Sequence, residues 1–150
     1  DNNKWYLVSC TYDGNDYVMY VDGVKDAQAS SPGKVLKFQR FEMGMSWGGY
    51  NSGQFFHGRI CEVRVWNRVL PVSEIKGGIA GVDPKSNGLV AYWKMNQASG
   101  TTILDVTGNG YDMDWTKSQR DIHENGNLIA TPDAANHIKF VKDDKNKVSQ

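Results

Sequence analysis

Residues 54–75 constrain the fold most strongly, because an alternating strand there leads directly into the start of a helix. Between residues 59 and 67 the side chains alternate: Cys61, Val63 and Val65 fall on one face, and Glu62 and Arg64 fall on the other. This two-residue period is typical of a strand with one buried face. Such a strand needs a neighbour in its own sheet and a second layer above it.

A short helix is predicted immediately after this strand. Pro71 suits the first turn of a helix, where its missing N–H is harmless, and Glu74 favours the positively polarised end. Gly77 and Gly78 then predict the end of the helix.

The remaining pattern predicts short strands separated by turns. Upstream, strands are expected over residues 4–12, 17–21 and 35–43, and a polar loop is expected over residues 25–33. Downstream, strands are expected over residues 89–95 and 136–141. The chain is therefore predicted to be all-β, with one short helix near residues 71–77.

The order of motifs along residues 4–77 resembles the laminin-G-like, concanavalin A-like jelly roll. The motifs are W-x-x-V-x-x-T-Y-D-G from Trp5, Y-V-D-G from Tyr20 and F-x-G-x-I-x-E-V-R-V-W-N-R from Phe56. The resemblance implies an antiparallel β-sandwich and carbohydrate as the broad class of ligand. It implies no activity by itself, since one fold supports many functions.

The number of strands predicts that this chain holds only part of a sandwich. A complete sandwich of this type needs about a dozen strands, but residues 4–70 supply only a few. We therefore expect residues 1–81 to be the C-terminal part of a laminin-G-like sandwich whose upstream half is missing from this chain. Residues 82–150 are expected to form an accessory, β-rich tail that packs on it.

Composition and family resemblance restrict the partners and the location. Seventeen basic and 17 acidic residues give a net charge of zero, which argues against a nucleic-acid partner, and no apolar run is long enough to span a membrane. The run from Gly88 to Asp112 resembles a segment found beside laminin-G-like domains in bacterial surface proteins. That resemblance implies an exported bacterial protein, either extracellular or on the cell surface.

The two cysteines, Cys10 and Cys61, are both expected in the middle of strands and on inward faces. One interpretation is a disulfide between neighbouring strands of an exported protein. The alternative is a pair of small buried hydrophobic side chains.

The loop from Ser46 to Gly53 is the candidate ligand site. Trp47 and Tyr50 offer flat rings on which the C–H face of a sugar can stack, while Asn51 and Ser52 offer groups that orient sugar hydroxyls. In the alternative interpretation, Trp47 caps the sandwich and the glycines only shape the turn.

A possible calcium site follows from the oxygen spacing of Asp105, Thr107, Asn109 and Asp112 around Gly110. This spacing resembles part of an EF-hand loop, but Thr116 stands where the closing Glu is required. The alternative is an Asn-Gly turn in which Asp105 accepts backbone N–H bonds. No other cofactor is predicted.

Two catalytic patterns are present only in part. Gly44 to Gly48 matches the G-x-S-x-G elbow of esterases, but the glycines that follow cannot begin the helix that this elbow requires. Glycoside hydrolysis needs paired carboxylates, whereas Glu42 and Glu62 each stand alone on their strands.

The predicted function is therefore a non-catalytic carbohydrate-binding or adhesion module. Two alternatives remain: a portion of a glycoside hydrolase whose catalytic acids lie outside this chain, and a structural spacer.

Overall fold

The computed structural model describes residues 3–33, 43–44, 56–97, 99–114, 128–132 and 138–142. Its elements are β1 (Val8–Tyr12), β2 (Asp16–Val21), β3 (Val24–Ser30), β4 (Gly58–Ile60), β5 (Val63–Trp66), α1 (Val72–Gly77), β6 (Leu89–Trp93), β7 (Thr102–Ile103), β8 (Met113–Asp114), β9 (Leu128–Pro132) and β10 (Ile138–Lys142). The pairs β1–β2, β2–β3, β4–β10, β9–β10 and β7–β8 are antiparallel. The predicted all-β class with a short helix is confirmed. Within the described ranges, no helix is long and apolar enough to cross a membrane.

The chain forms two compact units, each assembled from separate stretches of sequence. The first contains residues 1–38 and 66–90, and the second contains residues 39–65 and 91–150. The predicted division of the chain after residue 81 stays a prediction.

The first unit contains the three-stranded sheet β1–β2–β3. The turn between β1 and β2 is held by Asp13, whose Oδ1 accepts the N–H groups of Asn15 and Asp16 at 2.8 Å. The polar loop predicted over residues 25–33 is wrong, because β3 occupies most of it and pairs with β2. Its sequence has few strand-forming residues, so the hydrogen-bonding edge of β2 decides the conformation.

One face of this sheet carries small and apolar side chains throughout. Residues that are directly paired across strands share a face. On this face the pairs are Val8 with Val21, Cys10 with Met19, Tyr12 with Tyr17, Met19 with Ala27, Tyr17 with Ala29 and Val21 with Val24. Val8 and Val24 are 60% and 64% exposed, so part of this apolar face meets solvent. Cys10, which the sequence places on an inward face, lies exposed on this apolar face.

Helix α1 begins and ends where the sequence predicts. Pro71 is its N-cap and Gly78 its C-cap, with Glu74 in the first turn and Ile75 buried. The side chain of Lys76 packs against Gly23 in the turn between β2 and β3, where no room exists for a larger residue. The positive φ of Gly23, 72°, adds a second reason for glycine there.

The second unit has a small apolar core. It consists of Ala91, Trp93, Met95 and Ile103, against which Met43, Ile60, Cys61, Val63, Val65 and Met113 pack. The predicted continuous strand over residues 59–67 is wrong, because β4 ends at Ile60 and β5 begins at Val63. Glu62 in the break has a φ of 58°. The break lets the adjacent residues Ile60 and Cys61 both contact the core, which a regular strand would not allow.

Candidate functional site

The predicted sugar-binding residues Trp47, Tyr50, Asn51 and Ser52 lie outside the described residues, as does Glu42. Both ends of their loop are described. The Phe56 N–H donates to the Gly44 carbonyl oxygen at 2.9 Å, so the two ends are held together. Gly44 has a φ of 81°, a conformation that glycine adopts without strain.

Phe56, the residue that follows this loop, has an exposed aromatic ring. The side chain is 48% exposed. The ring lies directly on Gly58, where an added Cβ would be 2.8 Å from ring atoms Cε1 and Cζ.

A partly buried polar cluster formed by Glu62, Arg64 and Tyr92 joins β5 to β6. Glu62 Oε2 accepts hydrogen bonds from the Tyr92 hydroxyl and the Arg64 guanidinium. The Arg64 side chain is only 9% exposed, and its guanidinium carbon lies 4.8 Å from the centroid of the Tyr92 ring. Sequence reasoning placed Glu62 alone on its strand and missed both partners.

The cluster affects protonation and backbone conformation. Burial, followed by the hydrogen bond to Glu62, raises the pKa of Tyr92 above its ordinary value, against the opposing effect of Arg64. Tyr92 therefore stays protonated at neutral pH and donates to Glu62. Glu62 has positive φ, and its N–H donates to the Lys94 carbonyl oxygen at 3.3 Å. Side-chain and backbone bonds together hold this strained residue in place.

Asp105 is the buried centre of the loop for which the sequence predicts a calcium site. Its Oδ1 accepts the N–H groups of Tyr92 and Thr107, both at 3.0 Å, and the Thr107 hydroxyl at 2.7 Å. Its Oδ2 accepts the Tyr111 N–H at 3.3 Å. Burial raises the pKa of Asp105, but the hydrogen bonds from Thr107, Tyr92 and Tyr111 outweigh it and leave the pKa below its ordinary value.

This geometry does not fit a calcium ion at Asp105. Calcium takes six to eight oxygen ligands, whereas both carboxylate oxygens here face N–H donors that would repel a cation. Asp112 Oδ1 in turn accepts the Asp105 N–H at 2.7 Å, and the Asn109 N–H donates to Thr107 Oγ1 at 3.2 Å. No group of three or more His, Cys, Asp or Glu side chains suited to a metal occurs in the described part of the chain. The geometry favours the alternative, a turn organised by Asp105, and calcium stays a prediction without support from it.

The two cysteines are not joined by a disulfide in the structure, which describes both. Cys10 lies on the exposed apolar face of β1, and Cys61 packs against the core of the second unit. Cys61 is therefore partly buried as a small hydrophobic side chain, as in the alternative interpretation, whereas Cys10 is exposed. The disulfide stays a prediction.

Comparisons with known proteins agree with the fold. Residues 1–76 match a laminin-G family model described as the concanavalin A-like lectin/glucanases superfamily. No curated protein matches the chain.

The chain also matches the crystal structure of a proposed carbohydrate binding protein from Bacteroides ovatus. The two are 32% identical, with a TM-score of 0.55. The match covers 71% of this chain and 33% of that chain, so this chain spans a third of the length of that protein. Because the match is longer than the 76 residues of the family match, it includes sequence beyond them. The resemblance inferred from the motifs is confirmed: the chain belongs to the concanavalin A-like lectin/glucanases superfamily.

Proposed function

We propose that this chain is a non-catalytic carbohydrate-recognition or adhesion module that binds a glycan through the loop between Gly44 and Phe56. The observation that carries the proposal is the 32% identity to the Bacteroides ovatus protein, for which carbohydrate binding is proposed. Membership of a superfamily of lectins and glucanases agrees with the same class of ligand.

The residue types in this loop suit a sugar. Aromatic rings at Trp47 and Tyr50 would stack on C–H faces, and the polar groups of Asn51 and Ser52 would orient hydroxyls. The hydrogen bond between Phe56 and Gly44 holds the two ends of the loop together at 2.9 Å. Fixing the ends lowers the entropy that the loop loses when it orders around a ligand.

The hydrogen bonds of Glu62 and Asp105 argue against a catalytic role for either carboxylate. A glycosidase needs one carboxyl group free to donate a proton and a second free to attack or to activate water. Glu62 is bonded to Arg64 and Tyr92 through one oxygen, and both oxygens of Asp105 accept N–H donors. A hydrolase portion whose acids lie outside this chain is the second candidate, because the superfamily includes glucanases.

The exposed apolar face of the β1–β2–β3 sheet supports the proposal that a further sheet of the sandwich, from sequence outside this chain, covers it. Val8 and Val24 are more than half exposed on that face. The matched Bacteroides ovatus protein is also about three times as long as the part of it that this chain covers. We propose in addition that the parent protein is exported and acts at the cell surface or outside the cell, as the resemblance to bacterial surface proteins implies.

The experiment that tests the function is a glycan array probed with the wild-type chain, a Trp47→Ala, Tyr50→Ala double variant and a Tyr111→Ala control. Tyr111 is an exposed aromatic residue in a different loop. We expect the double variant to lose about tenfold or more of the bound signal, with an unchanged melting temperature, because two stacking contacts are removed.

The control should bind like the wild type. Equal binding by the wild type and the double variant would remove this loop from the proposal. A wild-type chain that binds no glycan would favour the structural spacer. Release of reducing sugar by the longer parent protein, but not by this chain alone, would favour the hydrolase.

A further inference from the structure

We propose that Glu62 and Lys94 form a second subsite, which binds hydroxyl groups of a glycan. The ligand class is a neutral pyranose with two adjacent free hydroxyls. One hydroxyl would donate to Glu62 Oε1, and its neighbour would accept from the ammonium group of Lys94. This inference rests on the proposed function, but it does not depend on the loop between Gly44 and Phe56.

Tyr92 and Lys94 lie on the side of β6 and its continuation that points away from the core. The residues that alternate with them, Ala91, Trp93 and Met95, form the core of the second unit. The Tyr92 side chain is nevertheless only 1% exposed. The guanidinium carbon of Arg64 lies 4.8 Å from its ring centroid, and Lys94 Nζ lies 5.7 Å from it. Charged side chains therefore cover this ring and form the accessible surface here.

The Glu62 carboxylate is held through one of its two oxygens. Oε2 accepts the Tyr92 hydroxyl and the Arg64 guanidinium, whereas Oε1 accepts no hydrogen bond from the residues that the structure describes. The Glu62 side chain is 34% exposed, against 9% for Arg64. A carboxylate that is oriented from one side and keeps an acceptor on the other needs little reorganisation to bind a sugar hydroxyl.

The backbone places Lys94 beside Glu62. The Glu62 N–H donates to the Lys94 carbonyl oxygen at 3.3 Å. Glu62 has a φ of 58° and Met95, the residue after Lys94, has a φ of 56°, so both chain segments leave regular strand geometry at this hydrogen bond. Strained backbone persists only where surrounding contacts fix it, and it clusters at ligand-binding sites. The strain at this point therefore supports a binding role for the two side chains.

The charges favour a neutral ligand over a free ion. Arg64 already pairs with the Glu62 carboxylate, which reduces its attraction for a second cation. An anion drawn to Lys94 would be repelled by the same carboxylate. A hydroxyl group is both a donor and an acceptor, so two adjacent hydroxyls satisfy a carboxylate oxygen and an ammonium group together.

The test titrates the isotope-labelled chain with the methyl glycosides of glucose, galactose and mannose, and follows the backbone amide signals by NMR. Binding at this subsite should shift the amide signals of Glu62 and Lys94 and should yield a dissociation constant. Monodeoxy derivatives of the glycoside that binds most tightly then remove its hydroxyls one at a time. We expect removal of either of two adjacent hydroxyls to weaken binding by about tenfold.

Two variants remove the proposed contacts. Glu62→Gln keeps one oxygen for its two partners and replaces Oε1 with an NH2 group, which cannot accept a hydroxyl. Lys94→Met keeps the apolar stem and removes the ammonium group. Both should weaken binding by about tenfold. Glu74→Gln is the matched control, because Glu74 is an exposed carboxylate paired with Arg68, and it should bind within about twofold of the wild type.

The combination of variant and deoxy sugar separates a direct contact from a structural role. Removing the hydroxyl that Glu62 binds should weaken binding to the wild type but cause no further loss in Glu62→Gln, because the contact is already absent. Additive losses would overturn the contact. Melting temperatures identify a variant that fails to fold, and the same comparison with Lys94→Met then decides.

The outcomes distinguish this subsite from the proposed function. A glycoside that binds while the Glu62 and Lys94 signals stay in place, and that binds both variants like the wild type, overturns the subsite and leaves the proposed function standing. Failure of all three glycosides to bind also overturns the subsite. The glycan array decides the proposed function separately.

Discussion

Asp105 shows at the scale of a single residue how one pattern supports two chemistries. The spacing of oxygen-bearing side chains around it suits either a cation or a turn. In the folded chain Asp105 is 7% exposed, and its carboxylate accepts backbone N–H groups on both oxygens. One donor comes from Tyr92 in β6, far away in sequence, so the turn is attached to the sheet through this carboxylate.

Replacing Asp105 with Asn should lower the free energy of unfolding at pH 7 by about 2–3 kcal/mol. The amide keeps one acceptor oxygen but points an NH2 group at backbone donors. Chemical denaturation with urea measures the difference. Asp112→Asn is the control, because Asp112 is exposed and its amide oxygen would still accept the Asp105 N–H.

The difference in stability between the wild type and Asp105→Asn should depend on pH. The pKa of Asp105 in the folded chain lies below the ordinary value of 3.8, so its ionised form stabilises the fold above that pH. This stabilisation is lost as the pH falls through the lower folded pKa. The difference in the free energy of unfolding between the wild type and Asp105→Asn should therefore become smaller below about pH 4. A gap that stays constant down to pH 3 would contradict the assignment.

At the scale of elements, the break between β4 and β5 is the feature that shapes the second unit. Glu62 has a φ of 58°, in the left-handed region that side chains other than glycine rarely adopt. In return, its carboxylate reaches Arg64 and Tyr92, and Ile60 and Cys61 both contact the core. A regular strand through these residues would lose either the carboxylate contacts of Glu62 or one of the two core contacts.

We expect Glu62→Gly to be more stable than Glu62→Ala by about 1 kcal/mol. Both variants lose the carboxylate, but only glycine adopts the left-handed backbone without strain. Unfolding in urea measures the difference in free energy between the two variants. Arg59→Gly and Arg59→Ala, within β4, provide the comparison. At Arg59 alanine should be the more stable residue, because glycine in a strand is unfavourable. If alanine were more stable than glycine at position 62, as it should be at position 59, the inference that Glu62 is strained would be wrong.

At the scale of the whole molecule, the apolar face of the β1–β2–β3 sheet is the feature that most needs an explanation. Its exposed residues include Val8, Met19 and Val24. A contiguous apolar patch of this kind marks an interaction surface or a face that another layer covers. The proposal of a further sheet from outside this chain accounts for it.

The isolated chain should therefore bind the dye ANS in its folded state, since the dye reports exposed hydrophobic surface. Val8→Lys should lower the ANS fluorescence while changing the free energy of unfolding by less than about 0.5 kcal/mol. Ser9→Lys places the same charge on the opposite face of β1 and should leave the fluorescence unchanged. Absence of ANS binding by the wild type, or equal effects of the two lysines, would contradict an uncovered apolar face.

Part of the fold and of the site was predictable from local patterns. Proline and glycine bound α1 as expected, and the alternation around Val63 and Val65 identified residues that contact the core. The motif order identified the superfamily. The strand at residues 24–30 was missed because its own propensity is low and its pairing with β2 supplies the hydrogen bonds.

The sequence by itself determined the fold class, the helix boundaries and the family, because periodicity and turn chemistry act over a few residues. Only the tertiary structure decided the break at Glu62, the hydrogen bonds of Asp105 and the contact between the Phe56 ring and Gly58. The Glu62 carboxylate meets a hydroxyl 30 residues away in sequence, and such partners are brought together only by strand pairing. Contacts of this range depend on register, which no local pattern specifies.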